Sequence, residues 1–449
     1  MLSDDEKAAI GRLTKKMSRR RRVNERLSAY YEGTQRLEHL GLAVPPELRA
    51  FETVLNVPRM AVDEVERRLD VRALYLPGEQ HPSDALMEMW DANDLAAIFP
   101  LVLKDSLIYG SGYMSVGGNP VDPTMPLIRA EHAPDMAVET DIRTRSITWA
   151  LREYRDQYGA RRAATLYSAT EIVWLTQDHG RWVEEARAPH RLGRVPVVQI
   201  TNRPRTGESF ADGTSEMADV IGLTDSIART ITNMQVAAEA NAIPQKYVVG
   251  AQPKDFVNKN GQAIPVWQSY FTAVWAITNK DAKPGTFTAA SLDNFHNSVN
   301  HLFKWAAAIL GLPLRYAAQD TNQPATEGAI VADESRLIKN CERKQAVAGN
   351  ALGAIMGMAW EVATGDTVDL TRVTVSWHDA GTPTFAQRAD ATQKLAAGVP
   401  ILSREGAWDE LGWSPERMET ERQRFAAQDA DPTLAALADK ALSVGLIDA

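Results

Sequence analysis

TSEMADVIGLTDSIARTITNMQVAAEAN (214–241) and SLDNFHNSVNHLFKWAAAIL (291–310) are the stretches on which the fold turns. In the first, Met217, Val220 or Ile221, Thr224, Ile227, Ile231, Met234 and Ala238 recur at three- and four-residue steps, the spacing of one apolar helix face. Thr214 or Ser215 can cap this helix, Glu216 and Asp219 suit its positive end, and Pro244 ends it. At 1.5 Å per residue it would run about 40 Å. In the second stretch, Leu292, Phe295, Val299, Leu302, Ala306 and Ile309 step by 3, 4, 3, 4, 3 and form a second seam, which Gly311 and Pro313 stop.

Between the two helices, KYVVG, AIPVW, FTAVWAIT and GTFTA read as short strands joined by turn residues. Trp267, Tyr270, Phe271 and Trp275 crowd this segment. Aromatic side chains are enriched at interface centres, and a unit this small is not stable alone. They are therefore expected at contacts between subunits and with partners, in a small private core, or in both. GLPLRYAAQDTNQPATEG (311–328) is polar, contains proline and has no period, so it reads as a loop. A very long third helix follows and closes at Gly365, then a strand in TVDLTRVTVSWHD (367–379), then helical segments broken at Gly398, Pro400, Gly412 and Pro432.

Towards the N-terminus the pattern is helical over roughly the first 110 residues. LTKKMSRRRRVNERLSAYYEG ends at Gly33, Pro58 is expected to break or kink PPELRAFETVLNVPRMAVDEVERRLDV, and a helix begins at the Ser83 cap. From about 112 to 200, YMSVG, PLIRAE, DMAVET, SITWALREY, AATLYS, EIVWLT and RWVEEA recur about every ten residues, the sign of an antiparallel sheet. The fold class is α+β: helix, small β insert, antiparallel helix, loop, helix, beside a larger α+β body. Such a chain exposes apolar seams, which mark interfaces. A ring of copies would cover them.

Composition narrows the function. The chain has 449 residues, 58 acidic and 49 basic side chains and a net charge of −9. That is not the balance of a sequence-specific duplex binder, whose affinity comes from neutralising phosphates. Cys341 is the single cysteine, so neither a disulfide framework nor a cysteine zinc site is expected. The first residues lack the apolar region of a signal peptide. LAAIFPLVL (95–103) and AAAILGLPL (306–314) are far short of a membrane span, so a soluble, unexported chain is expected. No phosphate-binding loop motif and no H-E-x-x-H occurs. His378-Asp379 and His132 with Asp135 read as strand-end or turn neighbours rather than as an acid–base or metal pair. No enzyme activity, cofactor or metal is expected.

Several segments together resemble the portal proteins of tailed phages, in the group common among actinobacteriophages. They are RLSAYYEGTQRL (26–37), VLNVPRMAVDEVERRLDV (54–71), YGSGYMSVG (109–117), GTSEMADVIGLTDSIARTITNM (213–234) and DAKPGTFTAASLDNFHNSVNHLFKWAAAILGLP (281–313). The resemblance covers roughly residues 20–420. It implies a wing over 1–205, a first stem helix over 206–243, a clip over 244–290 and a second stem helix over 291–311. A tunnel loop over 312–326, a long wing helix and strand over 327–381 and a crown over 382–449 would complete the chain. It further implies a homo-oligomeric ring of about twelve subunits at one capsid vertex of the virion, assembled in the host cytoplasm, with no membrane. The implied partners are double-stranded DNA held without sequence preference, the terminase large subunit, a head–tail adaptor, and the major capsid and scaffolding proteins. Another neck or adaptor protein of the virion is the runner-up reading, and a nucleic-acid-processing enzyme a distant third. On this resemblance Arg315, Tyr316, Gln319, Asp320, Asn322 and Gln323 line the narrowest part of the channel, Arg315 as a weak grip and Asp320 as repulsion. Lys304, opposite Leu302 and Ile309, faces either the lumen or the outside. Trp267, Tyr270, Phe271 and Trp275 meet neighbours and docking partners. The basic run Arg19–Arg22, with Lys15 and Lys16, is either a solvated helix face or a contact for DNA or capsid.

Overall fold

The first helix, α1 (Asp4–Glu32), begins at a capping box in which the Ser3 hydroxyl accepts from the Glu6 amide and the Glu6 carboxylate accepts from the Ser3 amide. It ends at Gly33, whose φ of 71° is the left-handed cap that glycine adopts without penalty. The computed structural model describes residues 1–35, 53–79, 81–158, 160–207, 212–242, 246–250, 283–286, 291–316, 327–366, 373–381, 385–397 and 400–429. The chain divides into two units, Met1–Ala380 and Gly381–Ala449.

In the first unit, α2 (Val57–Glu66) carries Pro58 in its opening turn, where no intrahelical N–H bond is lost. The expected kink at Pro58 is therefore a helix start. Ser83 caps as expected, but the helix it opens is two: α3 (Asp84–Ala92) and α4 (Leu95–Tyr109). Asn93 separates them. Its buried amide donates to the carbonyls of Met89 and Pro126 and accepts from the Ile128 amide, and Asp94 takes φ 50°. A long-range hydrogen-bonding demand thus overrides local helical pattern.

The strands expected over 112–200 are present, but they form two sheets. The first has three strands in the order β3 (Leu127–Glu131), β2 (Ser111–Gly117) and β9 (Val197–Thr201). The second is a five-stranded antiparallel meander of β4 (Met136–Thr140), β5 (Ile147–Arg155), β6 (Arg161–Tyr167), β7 (Glu171–Asp178) and β8 (Arg181–Pro189). Ile10, Leu13 and Met17 of α1 cover the meander through Ala137, Leu151, Ala164, Leu166, Val173 and Leu175. Central β2 is buried from Ser111 to Val116, consistent with a strand covered on both faces.

Two further helices are α5 (Ile221–Ala242) and α6 (Asp293–Leu310), with a strand pair β10 (Lys246–Val249) and β11 (Lys283–Thr286) between them in sequence. The long helix α7 (Glu327–Thr364) buries Leu337, Cys341, Ala348, Leu352, Ile355, Met356 and Ala359 in the main core. Burial pushes the Cys341 thiol up to about 11. By length and composition Ala332–Thr364 is apolar enough to cross a membrane, which the reading of short apolar runs passed over, and 44% of its most apolar window is buried inside the fold. Finally β12 (Thr374–Trp377) pairs antiparallel with β1 (Val71–Tyr75). Where α7 crosses this segment, a Cβ on Gly353 would stand 2.6 Å from the Val373 carbonyl oxygen.

The second unit holds α8 (Phe385–Ala396), α9 (Arg404–Glu410) and α10 (Pro415–Asp429). Trp408 stacks on Trp413 and Phe425, each at 5.7 Å between ring centres, and Arg404 caps the Phe425 ring at 4.2 Å.

One crossing inside the first unit admits no side chain. Gly110 ends α4 with φ 89°, and Gly213 passes over it with φ 63°. A Cβ on Gly213 would lie 1.9 Å from the Gly110 carbonyl oxygen. Gly213→Ala should therefore cost about 3 kcal/mol, from backbone strain and overpacking together. Gly118→Ala, where a methyl group would meet nothing within 4 Å, should leave the thermal midpoint of the chain nearly unchanged.

Candidate functional site

Val220 of the turn before α5 and Leu223, Ile227 and Ile231 of α5 pack on Val299, Leu302, Phe303, Ala306 and Leu310 of α6. Small residues bring the helices close: Thr224, Ala228, Thr232 and Ala306 are all buried. The Thr224 and Thr232 hydroxyls donate to the carbonyls of Val220 and Ala228 one turn back, so neither hydroxyl is left open in the contact. The buried row on α6 follows 3.6 residues per turn and ends at Leu310, while Ile309 falls outside it, half-exposed beside Trp305. Leu292 and Phe295 are half-buried and lie outside this cluster, and Lys304 is exposed.

Helix α5 begins seven residues later than Thr214, the earlier of the two expected caps. Residues 216–220 form turns instead, and Ser215 accepts from the Met217 amide within them. The reason lies in Glu216, which was expected to favour a helix end. Its carboxylate is buried and receives Lys344 at 2.8 Å, Asn202 at 3.1 Å and Asn340 at 3.2 Å, while its amide donates to the Leu107 carbonyl. Burial pushes the Glu216 carboxyl up, but the Lys344 charge and the hydrogen bonds from Lys344, Asn202 and Asn340 outweigh it and hold the group below 4.5. Asn202 completes the joint: its side chain donates to the Thr214 carbonyl and its backbone bonds Gly110 and Thr214.

The start of the helix pair is braced from α1 and α2. The Tyr30 hydroxyl donates to the Asp225 carboxylate at 2.8 Å, and Val57 and Met60 join the α5–α6 cluster. Strands β10 and β11 pair Lys246 with Thr286 and Val249 with Lys283, so the chain leaving α5 and the chain returning to α6 meet in one antiparallel ladder. The ring of Tyr247 covers Gly285 across that ladder. Trp267, Tyr270, Phe271 and Trp275 lie outside the described residues.

After α6 the chain makes a short 3-10 turn, Leu314–Tyr316. Arg315, expected as a weak grip on DNA in the channel, pairs with Glu334 of α7. The almost fully buried Arg68 reaches the same carboxylate at 3.4 Å, donates to the Ala380 carbonyl at 2.7 Å and to the Tyr316 hydroxyl at 3.3 Å. Gln319, Asp320, Asn322 and Gln323 lie outside the described residues. Reading the loop as polar and aperiodic gave no signal of Arg68 or Glu334, which stand 248 and 19 residues away along the chain from their partners there.

The basic run on α1 is divided by helix phase. Lys16 pairs with Asp212 at 3.0 Å and Arg20 donates to the carbonyls of Tyr109 and Asp212, whereas Lys15, Arg19 and Arg22 are exposed. The His132–Asp135 pair sits in a 3-10 turn at 2.9 Å, and Arg152 and Arg155 also reach Asp135, which is held well below the usual carboxylate range. Although burial opposes it, hydrogen bonds from His132 and Arg155 and the Arg152 charge prevail. His378 follows β12, and its backbone bonds Asp70 and Gln345. Among the described residues no three His, Cys, Asp or Glu side chains stand together as a metal site.

Residues 10–432 match the family described as phage portal protein, SPP1 Gp6-like. The chain belongs to this family of phage structural proteins. It is 34% identical to the portal protein of Mycobacterium phage D29 over 430 residues, 91% of this chain and 88% of that one. It is also 33% identical to the portal protein of Mycobacterium phage L5, over 90% of this chain and 85% of that one. Among solved structures, a chain from the neck of a native gene transfer agent particle computed with C12 symmetry aligns with a TM-score of 0.44 and 13% identity, over 84% of this chain and 95% of that one.

Lys344→Met leaves the Glu216 carboxylate buried without its cation and should cost about 3–5 kcal/mol of stability. A carboxyl held below its unfolded value stabilises the fold above about pH 4.5 and loses that contribution as pH falls through the folded value. Thermal melts of Glu216→Gln between pH 3 and 7 should accordingly lack that part of the acid-induced loss.

Proposed function

We propose that the chain is one subunit of a closed ring, of about twelve copies, through which double-stranded DNA enters and leaves a viral head. The observation that carries this reading is the helix–ladder–helix excursion: α5 and α6 packed on a single seam, with β10 and β11 closing the segment between them. Membership of the portal family supports it. In this reading residues 206–243 and 291–311 are the stem, 244–290 the clip and 312–326 the tunnel loop, with the wing over 1–205, the long wing helix and strand over 327–381 and the crown over 382–449. The ring sits at one vertex of the virion after assembly in the host cytoplasm. The terminase motor docks on it during packaging and a head–tail adaptor afterwards, with capsid and scaffolding proteins around it. The chain itself performs no reaction. Its function lies in the shape of the channel and in walls that hold DNA weakly, as suits an acidic protein that a polyanion must slide past.

A cyclic ring needs a heterologous interface, one face of the subunit meeting a different face of the next. Trp305 and Ile309 are 59% and 50% exposed on α6, on the flank of its contact with α5, and supply apolar area for it. Imaging of the purified protein should show rings with a central channel. Particles of one size without a channel, under conditions that favour assembly, would overturn the reading. The double variant Trp305→Asp with Ile309→Asp should give folded subunits that do not close into rings. Leu302→Asp, which places a charge in the α5–α6 contact, should instead lower the unfolding midpoint of the subunit itself, read by circular dichroism.

A further inference from the structure

Between Arg12 and Arg26 the sequence holds eight basic side chains and one acidic one, Glu25, in a chain whose net charge is −9. The fold sorts these cations into two sets. Lys16, Arg20 and Arg21 are held by Asp212, backbone carbonyls and Glu25. Arg12, Lys15, Arg19, Arg22 and Arg26 are all exposed. At 3.6 residues per turn these five fall within an arc of about 80°, opposite the face that Leu13 and Met17 press onto the meander. Arg12 shares its charge with Glu139 at 2.6 Å and Arg26 lies 5.5 Å from the Tyr30 ring. Lys15, Arg19 and Arg22 have no hydrogen-bonding or ionic partner among the described residues. The fold does not need their charge; Glu25 and Glu139 beside the row are already paired, and Asp5 lies beyond its N-terminal end near Arg12.

We propose that this outward face of α1 is a phosphate-contacting track for duplex DNA, distinct from the segment that follows Leu312. The proposal rests on the reading of the chain as a DNA-conducting subunit. Cations recur about every 5 Å along a rigid line of roughly 21 Å. Duplex DNA offers one charge per about 1.7 Å of its axis, so such a row finds phosphates in any register and reads no sequence. An acidic protein would have to place separate carboxylates at matching intervals. Arginine, the commoner side chain on this face, presents a planar fork of donors that suits phosphate oxygens. The row also runs towards Tyr30, whose hydroxyl holds Asp225 of α5, so the track leads to the foot of the helix pair.

The test measures binding of a fluorescent 30-base-pair duplex of arbitrary sequence to the purified full chain between 50 and 200 mM NaCl, with images of each sample. Lys15→Gln/Arg19→Gln/Arg22→Gln should weaken binding about tenfold or more at the lowest salt. It should also lower the slope of log K against log salt by about 3, one unit for each phosphate that the variant no longer neutralises. An equal change of charge elsewhere, Arg143→Gln/Arg181→Gln/Arg205→Gln on exposed positions, should change neither by more than about a third of that. An unchanged slope in the α1 variant, or an equal loss in the control variant, overturns the track. So does retention of DNA binding together with loss of capture by immobilised poly-glutamate, which would assign the row to an acidic protein. Absence of rings in the images bears on the parent reading alone, since the slope judges the track in whatever oligomer is present.

Discussion

Lys344 and Glu216 form a buried ion pair that most of the first unit depends on, because three separate segments must arrive together for it to exist. Asn202 comes from the end of β9, Glu216 from the approach to α5, and Lys344 with Asn340 from the middle of α7. A buried charge without its partner is costly, whereas a well-packed apolar pair would do as well for stability alone. What the ion pair adds is position. Glu216 can be satisfied in one place only, and that place fixes where the chain stops following the body and becomes helix α5.

The glycine crossing beside it makes this placement possible. Gly110 and Gly213 let two backbone strands approach closer than any Cβ allows, and Asn202 then bonds Gly110 and the Thr214 that follows Gly213. From this joint outward, α5 is packed on α6 by a seam of small and branched residues, and α1 holds α5 through Tyr30 and Asp225. The stiffness of the helix pair thus begins at a polar joint and continues through apolar packing. Each supplies what the other lacks: the joint sets direction, and the seam sets separation.

Much of this was legible locally and some was not, for physical reasons. Alternation over 112–189 located the strands, since a strand with one buried face writes its period into every second residue. It did not divide them into two sheets, because pairing partners are chosen across the chain and not along it. The Ser83 cap and the Gly33, Gly311 and Gly365 stops were readable from residue type alone. The split at Asn93, the unwinding of 216–220 and the place of Arg315 were not, as each follows from a bond to a residue far away in sequence. The α6 seam was drawn with alternating steps of three and four, and that period of 3.5 drifts against the 3.6 of a straight helix. Over five steps the drift carries Ile309 off the contact and brings Leu310 onto it. The candidate aromatic residues of the insert and most of the polar loop stand outside the described residues, so their roles rest on the order of segments and on family likeness.

Arg68 shows how the two ends of that polar loop are made one. Arg315 stands just before residues 317–326 and Glu334 lies in the second turn of α7 after them, and the two side chains are paired. Arg68 bonds the same carboxylate and the Tyr316 hydroxyl, and its third contact, the Ala380 carbonyl, lies beyond β12. The 3-10 turn after α6 and the start of α7 are therefore joined by two guanidinium groups on one carboxylate, nine-tenths buried, where interactions between charges are strongest. A displacement of α6 along its axis has to move Arg315, and with it either Glu334 or the pair itself. Arg68 in turn ties that carboxylate to the β1–β12 end of the body, so α6, α7 and the body share one polar joint. The shared carboxylate thus makes α7 the element that joins the end of α6 to the body.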